Sequence, residues 1–203
     1  YRIDGGAQYG TGQGMTSLVD AKDIAEKFET ATGSTNTNVD ETNADNTVNN
    51  KNNSEQGENA NVTVTVDENG DYKVTVKQNI SDKTIEIPDT WGKVDIDLGG
   101  NTITGPAGEP AISVKPSGNG NATGSDLTIS NGTIKGGDGS ENKPNGGSGI
   151  TAADGTVDST IKIEGNTTVS GGNGATGADG NGGAGGNGIS GAVDTVVSGG
   201  TVS

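Results

Sequence analysis

From Ile96 onward, aliphatic residues alternate with polar ones in short runs, each run followed by a Gly/Asn break and a Thr-aliphatic-polar triplet. The phrase occurs four times, from Ile96 to Thr104, Leu127 to Lys135, Ile161 to Ser170 and Thr195 to Ser203. Ile96 and Leu127 are 31 residues apart, and the steps to Ile161 and Thr195 are 34 each. A period in that range marks stacked supersecondary units, none of which can bury its apolar side alone. The alternation has the period of strands. A third aliphatic anchor recurs at Ala111-Ile112-Ser113-Val114, Gly149-Ile150-Thr151-Ala152 and Gly188-Ile189-Ser190. Three short strands per unit of about 31–34 residues, with no helical stretch among them, predict an all-β, right-handed parallel β-helix. Stacking at roughly 4.8 Å would line up three internal rows. These are Leu98, Ile129, Ile163 and Val197; Ile103, Ile134, Val169 and Val202; and Ile112, Ile150 and Ile189. The first two rows are five residues apart in three units and six in the third, which predicts a bulge at Thr167 or Thr168.

The first third of the chain has other periods. Leu18, Ala21, Ile24, Ala25 and Phe28 share one helical face over residues 17–32, with Ser17 and Asp20 suited to a capping box and Gly33 to a stop, so residues 1–33 form a segment with one amphipathic helix. Residues 34–61 are rich in Asn and Thr, with Val39 and Val48 nearly the only aliphatics, and read as a disordered linker. Val62 to Val66 and Tyr72 to Val76 alternate around Asp67-Glu68-Asn69-Gly70, a hairpin signal. Thr84 to Ile87 follow and Pro88 ends that strand, so residues 62–90 are expected to be an irregular first coil that caps the β-helix. The β-helix as a whole is assigned to 62–203.

The stretch from Val94 to Gly105, an aliphatic-Asp alternation followed by Leu98-Gly99-Gly100-Asn101-Thr102-Ile103, resembles the coil opening of pectate-lyase-like right-handed β-helices in large bacterial surface and secreted proteins. The resemblance covers about residues 80 to 203. It implies a fold more than an activity, because such coils carry adhesins, lyases, hydrolases and plain stalks alike.

Composition adds outer bounds. With 38 Gly, 2% aromatic and 27% hydrophobic residues, the usage is not that of an ordinary compact domain. A net charge of −15 repels nucleic acid and anionic membranes, so neither is expected as a partner. No apolar run is long enough to span a bilayer and none reads as a signal-peptide core. The chain starts at Tyr1 and stops inside a repeat, and is expected to be part of something longer, truncated at its C-terminal coil. The absence of Cys fits bacterial secretion. Asn-x-Ser/Thr triplets at Asn61, Asn79 and Asn166 carry little weight in a chain so rich in Asn and Thr.

Candidate chemistry is sparse. There is no His, and the only Arg is Arg2. Lyases of this fold need a basic residue to take a proton from carbon, with Ca²⁺ on clustered carboxylates; hydrolases need two carboxylates converging on one bond. The groups available are Asp95, Asp97, Asp126, Lys135, Lys162 and Glu164. Asp95 and Asp97 alternate with aliphatics, as on the solvated face of a strand, and Asp97 aligns with Thr128 and Lys162. No carboxylate row is expected, and no catalytic, cofactor or metal residue is assigned. Trp91 reads as a cover over the end of the core. Thr102, Thr133, Thr168 and Thr201, with Thr104, Lys135, Ser170 and Ser203, should form two outward rows; such rows can match an ice lattice, but Lys135 interrupts one and Thr is also a good strand residue.

Glycine falls at every third position from Gly171 to Gly188. These six triplets lack Pro and are too short for a collagen triple helix. They resemble, over about 18 residues, the runs of mycobacterial glycine-rich surface proteins. With Gly105 to Pro110 and Gly136 to Gly149, they predict three excursions leaving one corner of the coil as a flexible or polyproline-II-like layer, either a partner surface or tolerated loop length. No helix follows and no P-loop Lys-Ser/Thr is present, so a phosphate cradle is not expected. Two functions stand. One is a non-catalytic structural or adhesive stalk of an extracellular or cell-surface protein, with an unknown glycan or protein ligand and possible end-to-end self-association. The other is the non-catalytic part of a carbohydrate-active β-helix whose active coils lie elsewhere.

Overall fold

The computed structural model describes residues 23–32, 47–48, 61–66, 69–118, 120, 122, 124–156, 159–191 and 193–203. Helix α1 spans residues 23–31. The strands are β1 (Thr47–Val48), β2 (Val62–Val66), β3 (Tyr72–Val76), β4 (Ile80–Ser81), β5 (Ile85–Pro88), β6 (Gly92–Asp97), β7 (Thr102–Thr104), β8 (Ile112–Lys115), β9 (Ser125–Lys135), β10 (Ile150–Ala152), β11 (Thr160–Ser170), β12 (Ile189–Gly191), β13 (Asp194–Val197) and β14 (Thr201–Val202).

They form two sheets. The larger runs β13-β11-β9-β6-β3-β2-β1, with β14 on β11 and β7 between β4 and β9; the smaller runs β12-β10-β8-β5. Pairing is parallel throughout, except that β1 on β2 and β2 on β3 are antiparallel, so the larger sheet is mixed. The chain therefore visits the larger sheet, crosses to the smaller and returns one rung further on, once per unit. Three strands per unit were expected; in the third and fourth units the first two fuse into 11-residue runs, Ser125–Lys135 and Thr160–Ser170.

Register puts like on like. Ile80, Ile103, Ile134, Val169 and Val202 form one column, as the alternation predicts. Ile85, Ile112, Ile150 and Ile189 form another. The column assigned to Leu98 is different. Ile129 pairs with Ile96, and the row reads Val74, Ile96, Ile129, Ile163, Val197. A slip of two residues keeps every side chain on its face, so alternation alone does not choose between the two registers. The corner decides. Leu98 leaves the strand yet stays buried, and the chain turns through Gly99 and Gly100 at φ 57° and 84°. Asn101 Nδ2 donates to the carbonyls of Leu98 (3.0 Å) and Val76 (3.1 Å).

The bulge is also displaced from its expected place. Glu164 pairs with Ser130 and Thr167 with Gly132, which leaves Gly165 and Asn166 opposite Asn131. Gly165 and Asn131 take φ 58° and 60°. Glycine and asparagine tolerate that region, whereas β-branched Thr resists it. Thr167 is buried instead, its hydroxyl donating to Glu164 O at 2.5 Å.

The N-terminal end is closed more regularly than expected. Residues 72–88 are a full unit in register with the next, not an irregular coil. The cap consists of antiparallel β2 and of α1, whose Ile24, Ala25, Phe28 and Ala31 join the strand core. Asn61 Nδ2 donates to Glu29 Oε1 (2.9 Å) and Gln78 Nε2 to Thr32 O (3.0 Å), tying the helix to the first unit. Leu18, Ala21, the caps Ser17 and Asp20, and Gly33 lie outside the described residues, as does most of 34–61; within that span Thr47 and Val48 are a strand, not linker.

Ile134 is fully buried and its neighbour Lys135 reaches outward to Asp138. Ile134→Asp should cost about 4 kcal/mol or more, a buried charge without a partner, while Lys135→Ala should cost less than about 1 kcal/mol. Urea or thermal melts of the two variants check this, and equal shifts would disprove the in/out assignment.

Candidate functional site

With the aliphatic residues turned inward, their neighbours form outward rows across the larger sheet. One row is Lys93, Asp126, Thr160, Asp194; the next is Lys73, Asp95, Thr128, Lys162, Val196; the third is Thr75, Asp97, Ser130, Glu164. The corrected register thus sets Asp97 beside Ser130, not Thr128. Asp71, Lys93, Asp95, Asp126, Thr128, Thr160 and Lys162 line an open groove of about 460 Å³. Within each row the direct neighbours of Asp95, Asp97 and Asp126 are Lys, Thr or Ser. Among the described residues no group of three or more His, Cys, Asp or Glu converges as a metal site would require.

The other candidates are occupied by structural contacts. Asp97 Oδ1 accepts from Gly99 N (2.9 Å) and from Asn131 Nδ2 (3.4 Å), which steadies the corner. Lys162 pairs with Glu164 at 2.5 Å. Lys135 pairs with Asp138 at 2.8 Å, and so serves a glycine segment rather than the groove. Trp91 is buried in the core, as its position predicts. Its backbone N donates to Ser125 Oγ (3.0 Å), which donates to Pro88 O (2.6 Å), while Ser125 N donates to Ser159 Oγ (3.0 Å). That stack of buried serines was not foreseen from the sequence; its signal is a Ser at the very start of two long strands, Ser125 opening one and Ser159 directly preceding the other. The Thr rows form as expected: Thr102, Thr133, Thr168 and Thr201 are in register, and Lys135 sits between Thr104 and Ser170 in the other. Of the Asn-x-Ser/Thr sites, Asn166 is exposed, Asn79 Oδ1 accepts from Thr102 N (2.9 Å) and Asn61 is engaged with Glu29.

The glycine excursions are the most distinctive surface. All three leave between a strand of the larger sheet and one of the smaller, and they are bonded to one another. Gly137 N donates to Glu109 O (2.9 Å), Gly147 N to Gly137 O (2.8 Å), Gly172 N to Gly147 O (2.8 Å) and Gly186 N to Gly172 O (2.8 Å). A parallel line links Ala175 N to Pro144 O (2.8 Å) and Gly183 N to Ala175 O (2.7 Å). Glycine is required sterically: a Cβ on Gly137 would overlap Pro106 O, one on Gly172 would overlap Gly137 O, and one on Gly147 would overlap Glu109 O. Contacts recur every third residue, at Gly171 and Gly174 and at Gly183 and Gly186, the period of a polyproline-II helix. The layer was expected to be flexible or polyproline-II-like; its three-residue spacing is that of polyproline II, and the hydrogen bonds between the excursions were not foreseen. Asp138 bridges two excursions: Lys135 and the backbone N of Asn173 (2.8 Å) both donate to its carboxylate and hold its pKa below the usual carboxylate range. At the tip, Asp179 is held low in the same way by the side chain and backbone of Asn181.

Comparison with protein-family models, with curated proteins and with solved structures finds no match to this chain.

Gly147→Ala should destabilise by about 1–3 kcal/mol through overpacking, whereas Gly182→Ala, whose Cβ meets nothing within 4 Å, should be silent or slightly stabilising; melting temperatures check the pair. A carboxylate with lowered pKa stabilises the fold above its unfolded value and loses that contribution as pH falls through its folded value. Asp138→Asn should therefore flatten the loss of stability on acidification below about pH 4, by less than about 1 kcal/mol because the group is exposed; urea melts across that range would show it.

Proposed function

We propose that this chain is a stack of coils from a right-handed parallel β-helix of the pectate-lyase-like kind that Val94 to Gly105 resembles. Its role is that of a non-catalytic structural or adhesive stalk, extracellular or on a bacterial surface. The observation that carries the reading is the continuity of hydrogen bonding along the stack: ladders in both sheets and lines through the glycine excursions join every unit to the next. A rod bonded in this way resists local opening and holds its outward groups at a fixed spacing, which suits reach and presentation. The acid and base candidates add support, since Lys135, Lys162, Asp97 and Glu164 are committed to contacts that hold the frame. The presented ligand, glycan or protein, would meet the glycine layer or the charged outer rows.

The test is an assay of the full chain on pectin and alginate, with and without Ca²⁺. No rise in unsaturated-uronate absorbance is expected. Absorbance that disappears in Lys135→Ala or Lys162→Ala would overturn the non-catalytic reading.

A further inference from the structure

Five of the described Asn-Gly pairs lie in the coils after β6, at Asn131, Asn145, Asn173, Asn181 and Asn187. A glycine after asparagine leaves the side-chain amide open to attack by the next backbone nitrogen, because no Cβ stands in the way. The attack requires the peptide plane between the two residues to turn, so whatever holds that plane protects the pair. Four of the planes are bonded across to a neighbouring unit. Gly100 N donates to Asn131 O (2.6 Å), Gly146 N to Ala184 O (2.8 Å), Gly139 N to Asn173 O (2.7 Å) and Gly149 N to Asn187 O (2.9 Å). The glycines of these pairs are also packed: a Cβ would overlap Leu98 at Gly132, Gly172 O at Gly146, Gly183 O at Gly174 and Ser203 O at Gly188.

Asn181 is held differently. It stands at the tip of the excursion 171–188, and its carbonyl accepts from Gly177 N (2.8 Å), within the same turn. Asn181 and Gly182 are exposed, and a Cβ on Gly180, at φ 85°, or on Gly182 would meet nothing within 4 Å. The backbone of the turn reaches another excursion through Ala178 N, which donates to Glu141 O (3.2 Å). Opening this turn breaks no strand ladder and uncovers no aliphatic column, so it belongs to the low-energy end of local openings.

We infer that Asn181 is a site of spontaneous deamidation and that the fold spares the other four asparagines. Gly182 N bonds to Cγ of Asn181, the Cγ–Nδ2 bond breaks, and the proton of Gly182 N leaves with Nδ2 as ammonia, closing a succinimide. Water then opens the ring at either carbonyl and leaves an aspartyl or an isoaspartyl residue at position 181. Water is the only co-reactant. The departing Nδ2 is the atom that donates to Asp179 Oδ2 (2.7 Å). The new carboxylate therefore faces a like charge where a donor stood, and the isoaspartyl form lengthens the backbone beside the bond from Gly177 N to Asn181 O. The tip of the glycine layer thus changes in charge and shape with age, in one direction only. The inference goes beyond the stalk reading and does not rest on it.

Incubation of the full chain at mildly alkaline pH, with peptide mapping of amide-to-acid conversion at each asparagine, tests it. Position 181 should convert at least tenfold faster than positions 131, 145, 173 and 187. In concentrated urea the five rates should converge, because the Asn-Gly sequence is common to all. Gly182→Ala should slow conversion at 181 at least tenfold without lowering the melting temperature, since the added methyl hinders the attack and meets nothing within 4 Å. Similar rates at all five positions in the folded chain, no conversion at 181 while the chain in urea converts, or a rate at 181 indifferent to Gly182→Ala would overturn the inference.

Discussion

Backbone registration between successive units is the constraint on which everything else depends. An inward aliphatic loses its water only when the units on either side present an aliphatic at the same place, and that happens only while the parallel ladder stays in step. A column such as Ile80, Ile103, Ile134, Val169 and Val202 therefore works as one object: no member is buried by its own unit alone, and each inner member shields two others. Helix α1 belongs to the same economy, because Ile24 and Phe28 cover a rung that has no parallel neighbour.

Units of unequal length stay in step because the surplus is confined to the corners. Along that column the steps from Ile103 to Ile134, Val169 and Val202 are 31, 35 and 33 residues. Left-handed residues absorb the differences: Gly99 and Gly100 in one unit, Asn131 and Gly165 in the next two. The larger differences fall in the glycine excursions, where Ile85, Ile112, Ile150 and Ile189 are separated by 27, 38 and 39 residues. Length is tolerated there because the excursions, with glycine at their points of closest approach, pack on one another and bond backbone to backbone.

Outward positions are released from these demands, and their chemistry is accordingly mixed. The rows that carry Asp95, Asp126 and Lys162 alternate acid, base and hydroxyl, which limits like-charge contact along a ladder whose strands lie roughly 4.8 Å apart. The short pairs Lys135–Asp138 and Lys115–Glu86 are exposed and contribute little each. Their consequence is positional: Asp138 holds one excursion against the next through Asn173.

Alternation, repeat length and the third aliphatic anchor were enough to read parallel strands, two of the three buried columns, the in/out sense of Ile134 and Lys135, the burial of Trp91 and the common corner of the excursions. These are local or periodic properties, and a period of two or of three residues is visible in a single chain. The register of Leu98, the place of the bulge and the regularity of the first unit belong to the tertiary structure, because each is chosen by a neighbouring unit: Ile129 selects Ile96, and Asn131 in its left-handed conformation faces Gly165 and Asn166 rather than a Thr. The same holds for the candidate groups. Asp97, read as a solvated strand position aligned with Thr128, stands beside Ser130 and also holds a corner, since what a carboxylate contacts depends on which strand the ladder brings beside it, and composition carries no record of that.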